Sequence, residues 1–116
     1  MRVIARSTLF RFVETLGGRK DKNGVKTALD AWCCEVESAE WRSSQDVKRA
    51  HANASVLDSE RIVFNIKGND YRLIAAIDYP RQIVFVKWLG SHREYDKIDA
   101  RRVQYGDQTY QKRKRS

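Results

Sequence analysis

A chain of 116 residues with 41% hydrophobic content can close one compact core, which excludes wholesale disorder. Its net charge of +8 favours a polyanionic partner, whether nucleic acid, the ribosome or an acidic protein. The charge is uneven: residues 101–116 carry a net +5, leaving +3 for residues 1–100, so much of the basicity belongs to the C-terminal end.

In chain order, Val3-Ile4-Ala5 reads as a short first strand. Ser7 is placed to cap a helix over residues 8–16, which stops at Gly17-Gly18. Apolar positions Val25, Leu29, Trp32, Val36 and Ala39 recur at helical spacing and predict a second helix over residues 25–40. Ser43 or Ser44 can cap a short third helix ending near Ala50. The period then changes. Residues 62–67, 71–79 and 82–89 are strand-like, with turns at Gly68-Asn69 and Pro80-Arg81. Helices early and strands late predict an α+β fold: an antiparallel sheet of about four strands with two to three helices on one face.

Cys33 and Cys34 are the only cysteines and are adjacent, so no disulfide framework is implied. No apolar run approaches membrane-spanning length, and the N-terminal stretch is too interrupted by charge for a signal peptide, so a cytoplasmic protein is expected. Cys33, Cys34, His51 and His92 match no zinc-ligand spacing, and His51 has no obvious partner, so no metal or cofactor is expected.

Two-residue turns set a register in which Lys67 faces Asp70, Asn65 faces Arg72, Leu73 faces Trp88 and Ile74 faces Lys87. One face then carries Ile62, Phe64, Ile66, Tyr71, Leu73, Ala75, Ile77, Val84, Val86 and Trp88, and must pack on the helices. The other carries Asn65, Lys67, Arg72 and Lys87 among Val63, Ile74, Phe85 and Leu89. Cations interleaved with flat side chains suit RNA, although any one-sided antiparallel sheet has a polar outer face. Just past the last strand, His92 is a candidate general acid or base, and Arg93 and Tyr95 stand beside it.

Three ordered motifs now stand out: Arg61 to Leu73 (RIVFNIKGNDYRL), Arg81 to Lys87 (RQIVFVK) and Gly90 to Asp96 (GSHREYD). Together with Trp41, Asp46, Val47 and Lys48, the second helix and the opening strand, they resemble the HigB toxins of type II toxin–antitoxin systems over residues 1–100. The resemblance implies a RelE-like toxin domain at 1–100 followed by a basic tail at 101–116. It also implies an endoribonuclease that cuts messenger RNA in the ribosomal A site, and a cognate helix-turn-helix antitoxin. Carried over by position, Arg72 would hold the scissile phosphate with Lys67, and His92 and Tyr95 would move protons or stack a base. Asn65, Lys87 and Arg93 would contact RNA. A protein that binds RNA or the ribosome and blocks translation by occupancy is the alternative, and a DNA-binding module ranks last because no helix-turn-helix signature is visible.

Overall fold

The computed structural model describes residues 1–18 and 20–103. The elements follow in order: β1 (Arg2–Ile4), α1 (Arg6–Thr15), α2 (Lys22–Ser38), α3 (Ser44–Ala50), β2 (Ser55–Val56), β3 (Arg61–Ile66), β4 (Tyr71–Asp78), β5 (Ile83–Ser91) and α4 (His92–Tyr95). The strands form one sheet in the order β1-β5-β4-β3-β2. β3, β4 and β5 are the expected meander, β1 joins β5 in parallel, and the two-residue β2 adds a fifth strand on the far edge.

α1 and α2 bury one stripe each: Leu9 and Val13 on the first, Val25, Leu29, Trp32, Cys33 and Val36 on the second. These stripes meet nine of the ten strand residues assigned to the inner face. The helix starts differ slightly from expectation. Ser7 lies inside α1, whose N-cap is Ala5, and no side chain caps it. At α3, Ser43 is the N-cap residue without a side-chain bond, and Asp46 Oδ2 instead accepts from Arg42 N at 2.8 Å. His51 packs edge-on against Trp41 and Phe64, with Nε2 3.5 Å from a Glu35 oxygen.

The β3–β4 register is the expected one, with Asn65 opposite Arg72 and Phe64 opposite Leu73. The ladder ends at Ile66–Tyr71, and Lys67 and Gly68 then take left-handed φ values of 55° and 67° to make the turn. Strand alternation therefore does not extend to Lys67. Its side chain lies against Gly24 of α2, where a β-carbon would come within 2.7 Å of Lys67 Cε, rather than beside Asn65 and Arg72 on the outer face.

The β4–β5 pairing corrects a second expectation. Near the turn, Ile77 faces Val84 and Ala75 faces Val86 as anticipated, but the register then shifts by one between Ile74 and Ala75. Leu73 pairs with Leu89 rather than Trp88, and Ile74 pairs with Trp88 rather than Lys87. The irregularity puts one extra residue on β5, and a residue inserted this way turns everything beyond it to the opposite face. Leu89 thus joins the helical-side core, and Trp88 turns outward.

The outer face is not a bare polar surface. Val63 and Ile74, both buried, form a second small core with Trp88 and Val103, and Leu57, Tyr95, Ile98 and Ala100 pack around it. The chain after α4 supplies this roof: residues 96–103 cross back over β3, β4 and β5. The packed chain therefore runs to Val103, and the remainder of the anticipated basic tail, 104–116, lies outside the described residues. No helix among the described residues is long and apolar enough to cross a membrane.

Candidate RNA-binding site

The site is built from the edge of that second core. Arg72 is half-buried on the outer face of β4, between its cross-strand partners Asn65 and Gly90. Its guanidinium lies 4.9 Å from the centre of the Tyr95 ring, within cation–π range. The Tyr95 ring in turn meets the Trp88 indole at 6.2 Å. Trp88 can reach there because Gly90 has no side chain: a β-carbon on Gly90 would come within 2.5 Å of the Trp88 ring.

Arg72 Nε is buried and has no hydrogen-bond partner among the described residues. An unpaired buried donor costs about 1–3 kcal/mol and is rare enough to need a reason. Arg72 as a whole is only half-buried, so an acceptor that reached the rest of its guanidinium would lie beside the Tyr95 ring. Asn65 anchors the adjoining strand by donating from Nδ2 to Asn53 O at 3.3 Å.

α4 is held by a reciprocal cap. Ser91 Oγ accepts from Glu94 N at 3.1 Å, and Glu94 Oε1 accepts from Ser91 N at 2.9 Å. This capping box gives the glutamate of the Ser-His-Arg-Glu-Tyr run a structural task. The signal that could have revealed it, serine followed three residues later by glutamate, stands in the sequence as Ser91 and Glu94. Trp88 was likewise missed as a site residue, because the shifted register was not visible.

The remaining candidates spread around this centre. His92 is exposed at the start of α4, and its backbone N donates to Asp70 O at 3.0 Å. With Arg93, Asn69, Asp70, Asp21 and Asp96 it lines a hollow of about 710 Å³ on the hairpin side of α4. Tyr71 closes its floor, with its hydroxyl donating to Asp21 Oδ2 at 2.7 Å. Lys67 is at the hairpin tip, its Nζ 3.2 Å from Asp70 Oδ2. Lys87 lies toward the other end of the outer face, its Nζ 5.6 Å from the Phe85 ring centre, beside Arg61 and Ala76. The structure thus brings Arg72, Tyr95 and Asn65 together, groups His92 with Arg93 one step away, and sets Lys67 and Lys87 at opposite margins. No cluster of three or more histidine, cysteine or acidic side chains suited to a metal occurs among the described residues.

Residues 25–98 match the family model described as HigB toxin, the RelE-like toxic component of a toxin–antitoxin system. The chain belongs to the HigB toxin family. No curated protein matches it. The match spans α2 to the residues just beyond α4, so it covers every candidate residue from Asn65 to Tyr95. Membership makes this HigB-family chain the toxin component of a toxin–antitoxin pair, with an antitoxin as its partner. The α+β sheet with α1, α2 and α3 on one face agrees with a RelE-like fold.

Proposed function

We propose that this HigB-family toxin is an endoribonuclease that cleaves messenger RNA on translating ribosomes in the cytoplasm. The observation that carries the proposal is the Arg72 guanidinium, half-buried beneath Tyr95 with one donor left unpaired. Such a donor set is matched to a phosphodiester oxygen, and the half-buried Tyr95 ring over it, backed by Trp88, is matched to a base.

RNA carries its own nucleophile. The ribose 2′-hydroxyl attacks the adjacent phosphorus and the 5′-oxygen leaves, giving a 2′,3′-cyclic phosphate and a 5′-hydroxyl. The protein must accept one proton, donate another and stabilise the charge that builds on the phosphoryl oxygens. Arg72 supplies the charge stabilisation. His92, exposed at the mouth of its hollow, is the acid or base. Tyr95 is the second proton donor or the stacking platform. Lys67 adds positive charge from the hairpin tip, and Asn65, Lys87 and Arg93 contact the backbone. The Arg72–Gly90 pairing sets the start of α4 within two residues of Arg72's cross-strand neighbour, which supports reading His92 and Arg72 as parts of one site. Basic surface and basic tail favour ribosomal RNA through general charge attraction, and the antitoxin is a helix-turn-helix protein.

The test is expression of wild type, Arg72→Ala and His92→Ala in bacteria at equal levels, with messenger RNA ends mapped by primer extension. New discrete 5′ ends are expected with wild type alone, since losing a general acid or base costs about 100- to 10,000-fold. Full toxicity of His92→Ala would remove that residue from the mechanism. Translation arrest by wild type with no new ends would establish blockade by occupancy instead.

A further inference from the structure

Arg61 is the one buried charged residue among the described residues; the Asp58 carboxylate feels its charge, but the guanidinium's hydrogen bonds go to backbone carbonyls. Its Nη1 donates to Ala100 O at 2.8 Å and to Val103 O at 2.9 Å. Those carbonyls belong to the turn in which Val103 N bonds Asp99 O, so the guanidinium sits at the turn's carbonyl-rich end. The roof answers in kind: Arg101 Nη2 donates back to Leu57 O at 2.8 Å, and Leu57 N bonds Arg61 O at 2.9 Å. Each segment thus reaches across with an arginine to the other's backbone. Burying a guanidinium is expensive, and an apolar side chain would hold a plain core at least as well. The placement of this cation therefore points to a positional task.

We infer that Arg61 is a positioning residue for Tyr95, acting through the roof formed by residues 96–103. The inference rests on the reading of Arg72 and Tyr95 as the groups that meet RNA. Ile98, Ala100 and Val103 press on Val63, Ile74 and Trp88, and Ile98 N bonds Tyr95 O at 3.3 Å. The Arg61 clamp thus fixes the C-terminal side of α4, as the Ser91–Glu94 box fixes its N-terminal side. Between these two anchors Tyr95 is held against Trp88 and over Arg72. With the clamp released, the cap, the Arg101–Leu57 bond and the apolar contacts of the roof would hold the ring more loosely, and the Arg72 guanidinium would lose part of its cover.

The experiment uses the full chain labelled with 5-fluorotryptophan. Trp32 and Trp41 lie in the helical-side core and Trp88 in the second core, so three fluorine resonances report the two cores separately, with Trp88 assigned by Trp88→Phe. Arg61→Met removes the clamp, and Val103→Ala loosens the same roof from its other end. In either variant the Trp88 resonance should move while those of Trp32 and Trp41 stay. Single-turnover cleavage on messenger-programmed ribosomes should slow by about 100-fold, the scale of a misplaced reacting group, with substrate affinity changed less than about threefold. In a Tyr95→Ala background, Arg61→Met should slow cleavage no further. An unchanged rate with a shifted Trp88 resonance, or an equal further loss in the Tyr95→Ala background, would overturn the inference. So would displacement of all three resonances in both variants, since Arg61 would then hold the whole fold. Failure of the functional reading shows elsewhere, as wild type and Arg72→Ala cleaving alike, or as wild type not cleaving at all. In that event the Trp88 resonance alone decides whether the clamp sets the platform under Tyr95.

Discussion

Replacing Gly90 by alanine measures how tightly Trp88 is packed over it. Gly90 does not have a left-handed φ, so its backbone admits alanine and any cost is steric. The new β-carbon would lie 2.5 and 2.6 Å from two Trp88 ring carbons and 2.9 Å from Glu94 Oε1. Carbon atoms rest about 3.5–4.0 Å apart, so the indole must retreat by about 1 Å. Behind it stand Val63, Ile74 and Val103, all buried, so the retreat strains a packed cluster. Overpacking of this kind costs about 1–3 kcal/mol, and pushing Glu94 aside forfeits a cap worth about 1 kcal/mol. We expect a total of about 2–3 kcal/mol, which for a domain of this size lowers Tm by roughly 10 °C. Urea unfolding of wild type, Gly90→Ala, Glu94→Ala and the double variant measures it. The double variant should cost about 1 kcal/mol less than the sum of the singles, because Glu94 is one of the two obstacles. A Gly90→Ala protein within about 0.5 kcal/mol of wild type, with unchanged tryptophan emission, would refute the placement of Trp88 over Gly90.

Three further outcomes follow from the same geometry. Ile74→Ala should destabilise the fold by about 2–4 kcal/mol in urea unfolding, as a core truncation does, although Ile74 faces away from α1 and α2; a solvated outer face would show a small fraction of that. Iodoacetamide should label the native chain once, at exposed Cys34, because burial pushes the Cys33 thiol up to about 11; rapid labelling of Cys34→Ser would show that α2 does not bury Cys33. Asp58 accepts from the backbone N–H groups of Arg61 and Glu60, bonds that hold its carboxyl below the ordinary 3.8. A depressed carboxyl pKa stabilises the fold above the ordinary value and is lost as pH falls through the folded one. The urea midpoint of Asp58→Asn should therefore fall less steeply than wild type below about pH 4; parallel acid limbs for the two proteins would contradict this.

How far the sequence could be read follows from what kind of signal each feature leaves. Asn65 opposite Arg72 was legible because Gly68 marks the turn and strict alternation fixes the rest. Inner-face residues from Ile62 to Val86 were legible for the same reason. The shifted register on β5 was not, since Trp88 and Leu89 are both apolar and either could face the helices. Nor was the roof: Ile98, Ala100 and Val103 are scattered among Lys97, Asp99, Arg101 and Arg102, with neither period. What buries them is the matching apolar patch on the far side of the sheet, which Trp88 enlarges once it has turned over. Lys67 was misplaced because alternation was carried one residue into a turn whose left-handed φ redirects the side chain. His92, at a helix start, obeys no strand rule at all, and its hollow depends on where Asp21 and the hairpin tip come to rest.

One inserted residue therefore has consequences well beyond its own strand. Without the shift between Ile74 and Ala75, Trp88 would enter the helical core and Leu89 would face outward. Val63 and Ile74 would then lose the Trp88 ring from their cluster, and residues 96–103 would have less aromatic surface to cover. Tyr95 would lose the ring it leans on, and Gly90 would no longer need to be glycine. Arg72 itself would keep its place, because β3–β4 pairing fixes it independently. The guanidinium is thus set by the hairpin and its aromatic cover by the irregularity in β5, two separate local causes that meet at one side chain. That division explains why the cation could be found from the sequence while its surroundings could not.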